Sequence, residues 1–539
     1  MLHRRIPRET AIAGALFLLV AAFRLYRLND IPRGIWIDEG RMAFRAMVAW
    51  ERGWRHIFDW RPVSVPGSDE ASHIYLVCFD AISRVFGGGM LGIRMASVLP
   101  GILTAIPFWR VARGLFPRPA AIVATCAFAT GIWSANHARW TWEQTLLILL
   151  HVGAAASILS WWRTGARRHL FAIGAQCGVA MATYTTWPAS IAAIFVSIAL
   201  TPWVHGLGVS NDTRTTAPAL GRVLLVMAIA AAPFMWHYRR DPTPLLASYH
   251  ELSAASAERE GAWTIGASAL SHAAMFVSAK GGSDQDGPTD LPVVDPVTAI
   301  AFIAGLAALL SRPRSASTAI VLPWLLFVWL TGPLSTAHPA PPYIRRIGAM
   351  APAVYLASGA GWALLSSKWR RLFRSRAGER AWCAMTALAI AAMVGWNGWA
   401  LFAEWGGREQ PVGRFGVNEQ LIGEELGTLA PTEHALVLTN ILSGDSAFFT
   451  TETSAQTIRT IAGERIPEWG INPEGTRIFI GDRARLPDGG PIRIYGMVGD
   501  PAMERVLAAI SGDGDGRRAV EMREIPGGLA CWVFRQPAR

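Results

Sequence analysis

The sequence predicts a polytopic α-helical membrane protein with about eleven transmembrane helices, interfacial helices in its first external loop and a small C-terminal α/β domain. Three observations lead there. Hydrophobic residues make up 52% of the chain and charged residues only 17%, with a mean hydropathy of +0.28, which is too apolar for an ordinary soluble domain. Apolar runs of about 20 residues, near the length needed to cross a bilayer, recur from the N-terminus to roughly residue 402 and then stop. Finally, clusters of arginine between these runs fall on one side when the chain is threaded, as topology signals do.

The first run, Thr10 to Phe23, follows Arg4, Arg5 and Arg8 and has no small-residue cleavage site before Arg24, so it reads as an uncleaved first helix. The stretch Ala71 to Phe86 is short and carries His73, Asp80 and Arg84 on one helical face. It is therefore read as an interfacial helix within a first external loop running from about Asn29 to Met90. The second span is then Leu91 to Val111, followed by spans near 119–135, 143–161, 170–186, 188–204, 221–237, 295–311, 317–333, 347–366 and 381–402. With this threading Arg110, Arg113, Arg118, Arg163, Arg167, Arg168, Arg312, Arg314 and the basic run from Lys368 to Arg380 share the side of the N-terminus. Counting Ala71 to Phe86 as a span would reverse the first two clusters.

Residues 1–405 are thus expected to form the membrane domain, and 406–539 a domain on the opposite face from the N-terminus. That tail reads as a helix near 416–429, strands at 435–439, 476–481, 491–498, 519–525 and 529–535, a helix at 500–510 and a Gly/Asp turn at 511–516. The long polar loop 238–294 is either a mobile lid or a solvated connection.

Several function classes drop out. A net charge of +11 and a pI near 10.0 would suit a nucleic-acid partner, but nearly all the positive charge is arginine in short loops between apolar runs. The only lysines, Lys280 and Lys368, do not follow glycine, which excludes a Walker A loop, and Gly87-Gly88-Gly89 opens no βαβ unit. Cys78, Cys126, Cys177, Cys383 and Cys531 contain no CxxC pair. His250-Glu251 begins like a zinc-protease motif without the second histidine.

Polar chemistry gathers instead on the expected external face. Asp38-Glu39 lies just beyond the first span, in RLYRLNDIPRGIWIDEG, and two adjacent carboxylates there either serve chemistry at the lipid boundary or favour a helix N-terminus. Arg94 and the Arg345-Arg346 pair either bind phosphate bidentately or snorkel to headgroups. Glu70 and His73 either hold a divalent ion, the only cofactor with any signal here, or form a rim ion pair. His137 and Arg139 either line a cavity or cap helices, with capping favoured. Trp133, Trp140, Trp142, Tyr184 and Trp187 read as an interfacial aromatic belt, some of which could stack on a sugar.

FRLYRLNDIPRGIWIDEG resembles the opening signature of the lipid-carrier-dependent glycosyltransferases of the GT-C class, the group that includes protein O-mannosyltransferases and the aminoarabinose transferase of lipid A. In the same order along the chain, LGIRMASVLPG with Arg94, MATYTTWPAS with Tyr184 and Trp187, and YIRRIGAMAPAVYLASGAG with Arg345 and Arg346 resemble later segments of that class. The chain departs from it at SDEASHIYL before the interfacial helix, at Met95-Ala96 and at Thr186, which points to a divergent donor or acceptor.

The resemblance implies an inverting transfer from a polyprenyl-phosphate sugar donor to an external lipid, glycan or protein hydroxyl, and the arginine-rich composition without organellar signals places the expected site in a bacterial inner membrane. Asp38 would be the base, with Glu39 positioning it or touching the sugar. Such chemistry needs one carboxylate and an anion clamp for the departing phosphate. Glu70, His73, Tyr184 and Trp187 are the expected cavity-lining residues. Two other classes fit parts of the pattern: a transporter or flippase of lipid-linked sugars, and a non-catalytic envelope assembly protein. A transporter would place polar groups at mid-depth and show paired halves, neither of which is seen in the sequence.

Overall fold

Apolar runs become helices whose ends are set by Pro, Gly and small hydroxyl side chains. In order these are α1 Arg8–Leu25, α2 Ile37–Glu51, α3 His73–Val85, α4 Gly89–Leu103, α5 Ala105–Leu115, α6 Arg118–Thr130, α7 Ile132–Arg139, α8 Gln144–Thr164, α9 Arg167–Ala180 and α10 Trp187–Ala199. There follow α11 Thr216–Arg240, α12 Ile265–Ala274, α13 Pro296–Leu310, α14 Ala316–Leu330, α15 Ala351–Leu372, α16 Arg376–Gly398 and, in the tail, α17 Val417–Leu426. This computed structural model describes residues 8–51, 73–140, 143–204, 216–240, 265–283, 286–335, 341–408, 415–429, 434–437, 458, 461, 470–471, 477–480, 492–497, 518–525 and 529–535.

Among the described residues five helical stretches are long and apolar enough to cross a membrane: Gly89–Leu115, Gln144–Thr164, Thr216–Pro233, Gly348–Leu372 and Arg376–Trp405. Trp187–Ala199, Pro296–Leu310 and Ala316–Leu330 are apolar but shorter. The expected number of about eleven is therefore not reached on length and composition. Its shortfall has local causes. The run expected at 119–135 breaks at Gly131 into α6 and α7, and that expected at 170–186 stops at Ala180. α1 carries Arg8, Glu9 and Arg24 within its 18 residues.

The chain divides into two compact units, one of Met1–Leu28, Arg55–Tyr75 and Ser97–Arg408, the other of Asn29–Trp54, Leu76–Ala96 and Glu409–Arg539. In the first, small residues bring helices together. A Cβ at Gly305 of α13 would overlap the Ala357 carbonyl of α15, and one at Gly361 of α15 would overlap the Ala301 carbonyl of α13, so each helix lays its backbone against the other. Buried polar groups are bonded locally: Asp295 caps α13 by accepting from Thr298 N–H at 2.9 Å, and Asn397 of α16 donates to the same carboxylate at 2.9 Å. Part of the loop 238–294 is ordered structure, since α12 lies within it and Val293 N–H bonds Met275 O at 2.9 Å.

In the second unit the tail forms a six-stranded sheet. Taking β1 as Ile35–Trp36 and β2 as Phe415–Gly416, its strands are β3 His434–Val437, β4 Gly470–Ile471, β5 Arg477–Ile480, β6 Ile492–Met497, β7 Arg518–Ile525 and β8 Leu529–Arg535, in the order β4-β5-β3-β6-β8-β7. β3 is parallel to both neighbours and the outer pairs are antiparallel. Ile422 and Leu426 of α17 share its core with Ala435, Val437, Tyr495 and Cys531. The expected strands and the helix at 417–426 match. The short strands β1, β2 and β4 were not anticipated, and the expected helix at 500–510 and turn at 511–516 lie outside the described residues.

The α13–α15 contact predicts that Gly305→Val or Gly361→Val forces the helices apart, at a cost of about 1–3 kcal/mol. A lowered unfolding temperature of the detergent-purified protein checks this. The same substitution at Gly14, which has open space around it, is expected to be neutral.

Candidate functional site

The acidic pair sits at the first turn of α2, and its surroundings in the second unit explain why two carboxylates are tolerated there. Gly34 has φ +78°, a conformation that L side chains rarely adopt, and turns the chain from Pro32 into β1. Trp36 precedes the helix, with Asp38 and Glu39 at the second and third helical positions. The Glu39 carboxylate reaches back to accept from Trp36 N–H at 2.9 Å, half of a capping box. The Trp36 indole N–H donates to Asp38 Oδ2, also at 2.9 Å.

Arg94, on α4, completes the arrangement. It donates to Pro32 O at 3.0 Å and Gly34 O at 2.6 Å, and its Nε lies 3.5 Å from Glu39 Oε1. Both side chains are fully buried, so each charge depends on the other. Asp38 differs. Its side chain is 31% exposed, and Oδ1 is 3.8 Å from Arg41. The two carboxylates expected to act together are thus separated by burial: Glu39 closes the loop, while the Asp38 side chain is partly exposed. On α3, Asp80 accepts a hydrogen bond from Arg84, which uses up the polar face read from the sequence.

The first unit collects a second polar group around residues 341–350. Arg346 donates to the Tyr184 hydroxyl at 2.8 Å and stacks over its ring at 5.8 Å. Arg345 lies 3.7 Å from the buried Asp286, while Lys280 donates to Ser283 O at 2.9 Å. Both arginines are half-buried and Trp187 is partly exposed. Gln144 and His137 Nε2 are buried beside Gly348 without a hydrogen-bond partner among the described residues. Arg139 caps the end of α1 through Phe23 O, Arg24 O and Arg27 O at 3.0–3.2 Å.

The belt expected from the aromatics is corrected for three of them. Trp133 and Trp140 are buried within the protein, on and just after the short helix α7 that begins after the break at Gly131; Tyr184, ahead of α10, is buried against Arg346; and Trp142 lies outside the described residues. Glu70 and the side chain of His73 also lie outside them. Among the described residues there is no group of three or more His, Cys, Asp or Glu that could hold a metal ion. Sequence reasoning passed over Trp36, Gln144, His272 and Asp286, and took Lys280 only as evidence against a Walker A loop. Of these Lys280 had a signal, as one of two lysines in an arginine-dominated chain.

His272 fastens the arginine segment from α12. Its Nδ1–H donates to Ser268 O at 2.7 Å and Nε2 accepts from Tyr343 N–H at 2.9 Å, which only the neutral ring can do. Burial holds its pKa below the ordinary value, outweighing the Ser268 bond, which raises it.

No protein-family model and no curated protein matches the sequence. Two crystal structures of ArnT from Cupriavidus metallidurans are similar in fold. The apo form has a TM-score of 0.55 at 15% identity and the form bound to undecaprenyl phosphate 0.55 at 14%, each covering 97% of both chains.

Two predictions come from this geometry. Arg94→Leu leaves Glu39 charged and buried without its partner and should cost about 3–5 kcal/mol, read as a loss of thermal stability that Arg94→Leu with Glu39→Gln partly restores. The unfolded chain takes up a proton near pH 6.5 that folded His272 resists, so the stability due to neutral His272 is present above about pH 6.5 and declines as the pH falls below it. Unfolding temperatures between pH 7.5 and 5 should fall more steeply for wild type than for His272→Gln. Over nearly its whole length this chain shares the fold of ArnT from Cupriavidus metallidurans.

Proposed function

We propose that the protein is a lipid-carrier-dependent glycosyltransferase of the GT-C type, an inverting hexosyl- or pentosyltransferase. It takes a sugar from a polyprenyl-phosphate donor and transfers it to an extracytoplasmic lipid, glycan or protein hydroxyl. The acceptor oxygen attacks the anomeric carbon as the bond from that carbon to the phosphate oxygen breaks. The electron pair leaves with the polyprenyl phosphate, and Asp38 takes the acceptor proton.

The observation that carries this reading is the unequal pair at the head of α2. A partly exposed Asp38 carboxylate is held at one oxygen, beside a Glu39 fully committed to Arg94 and Trp36. Of the three arginines considered for the donor phosphate, Arg94 has its guanidinium occupied by the loop, and we assign it to positioning. Arg345 and Arg346 are half-buried beside Asp286 and Tyr184, and a guanidinium suits phosphate oxygens by its paired N–H geometry. Tyr184, held by Arg346, and Trp187 offer aromatic faces for a sugar or the lipid. The fold likeness to a protein crystallised with undecaprenyl phosphate supports a polyprenyl-phosphate ligand.

In this reading the protein is a multi-pass protein of a bacterial inner membrane. The N-terminus is cytoplasmic, residues 1–405 form the transferase domain and 406–539 an extracytoplasmic domain.

The test is sugar transfer from a panel of synthetic polyprenyl-phosphate sugars by purified wild type and Asp38→Asn, with unfolding temperatures measured alongside. Turnover by wild type and a loss of about 10²–10⁴-fold in a folded Asp38→Asn is the expected result. Scrambling of lipid-linked sugar without turnover on any donor would replace the transferase with a flippase.

A further inference from the structure

We propose that the C-terminal segment orients the reactive carboxylate, with Trp36 as the positioning residue through which it acts. This rests on the assignment of Asp38 as base. Every group involved lies in the second compact unit.

Trp36 is gripped from the tail. β1 pairs antiparallel with β2, placing Trp36 opposite Phe415 and Ile35 opposite Gly416. The two rings meet edge to face, with centroids 5.6 Å apart at 63°. The neighbouring positions leave no slack for another register. A Cβ on Gly34 would come within 2.9 Å of Val417 N and Cγ2, and one on Gly416 within 2.5 Å of the buried Glu419 carboxylate. A two-residue ladder does not stand alone. Here β2 runs directly into α17, whose Ile422 and Leu426 are part of the sheet core, so the ladder is anchored by a hydrophobic cluster.

From that grip Trp36 reaches both carboxylates, its backbone N–H bonding Glu39 and its indole N–H bonding Asp38 Oδ2. The indole plane is fixed by Phe415 on one side and aims its single donor at Asp38 on the other. That donor restricts rotation of the Asp38 side chain and leaves Oδ1, 3.8 Å from Arg41, as the atom turned to the acceptor. A base displaced by an ångström loses on the order of 10²-fold in rate, so holding one oxygen is a kinetic matter even where it contributes little to stability. This gives the tail a task in the reaction besides stabilising the fold.

The experiment is steady-state sugar transfer by the full-length protein, comparing wild type, Trp36→Phe, Phe415→Leu and Phe415→Ala, with unfolding temperatures recorded for each. Trp36→Phe keeps an aromatic ring against Phe415 and removes only the indole donor. It is expected to lower kcat about 10–10²-fold with KM for the donor unchanged. Phe415→Ala should shift kcat in the same direction and Phe415→Leu less. In an Asp38→Glu background, whose carboxylate is displaced from the indole, Trp36→Phe should cost much less. Wild-type kcat in folded Trp36→Phe, a rise in KM alone, or an undiminished loss in the Asp38→Glu background would each overturn the proposal. An active wild type with an inactive Asp38→Asn would in those cases leave the transferase reading standing. An inactive wild type removes both.

Discussion

A guanidinium and a carboxylate buried together at Arg94 and Glu39 must both be charged and both be satisfied, and the geometry of the first loop follows from that requirement. Taking either ion out of water costs several kcal/mol, returned only by good geometry and further hydrogen bonds. Arg94 therefore collects Pro32 O and Gly34 O as well as Glu39, and Glu39 collects Trp36 N–H. These bonds draw the turn at 32–34 onto α4 and fix the start of α2.

The same economy governs the first unit. A chain with 17% charged residues has few to place inside, and several of those it buries are bonded to backbone. Arg24 donates to Val20 O and Ala129 O, Arg139 holds the last carbonyls of α1, and Asp295 serves both as a helix cap and as an acceptor for Asn397. Each of these ties a helix end to a neighbouring helix where apolar packing has no direction of its own. Arg345 and Arg346 are different in kind. They are half-buried, and side chains, Asp286 and Tyr184, lie against them.

How much of this was legible follows from sequence distance. α8, α13, α14 and the strands of the tail were readable because apolar periodicity, Pro and Gly act within a few residues. The Asp38-Glu39 motif was readable for the same reason, and so was the helix α3, with Asp80 and Arg84 one turn apart. The β1–β2 pairing was not, since Ile35 and Gly416 are distant in the chain and a two-residue strand leaves no alternation to detect. Nor was the inward turn of Trp133 and Trp140, which depends on Gly131 breaking a helix that hydropathy draws as continuous. Arg94 was singled out for a phosphate, whereas in the structure it bonds Pro32 O and Gly34 O and lies beside Glu39. Its partner was set by a loop about 60 residues earlier.

The order of the two acidic residues carries a further physical consequence. At the third helical position a side chain can curl back to the N–H preceding the helix, and glutamate has the reach to do so. At the second position it points away from that N–H and meets whatever lies beside the turn. Glu39 is therefore drawn into the capping role by geometry before any charge is considered, and Arg94 then neutralises it in place. Asp38, one residue earlier and one methylene shorter, is left at the positive end of the helix with a single donor from Trp36. Two chemically similar residues thus acquire different environments from one turn of backbone. The longer one satisfies the loop, and the shorter one keeps a partly exposed side chain.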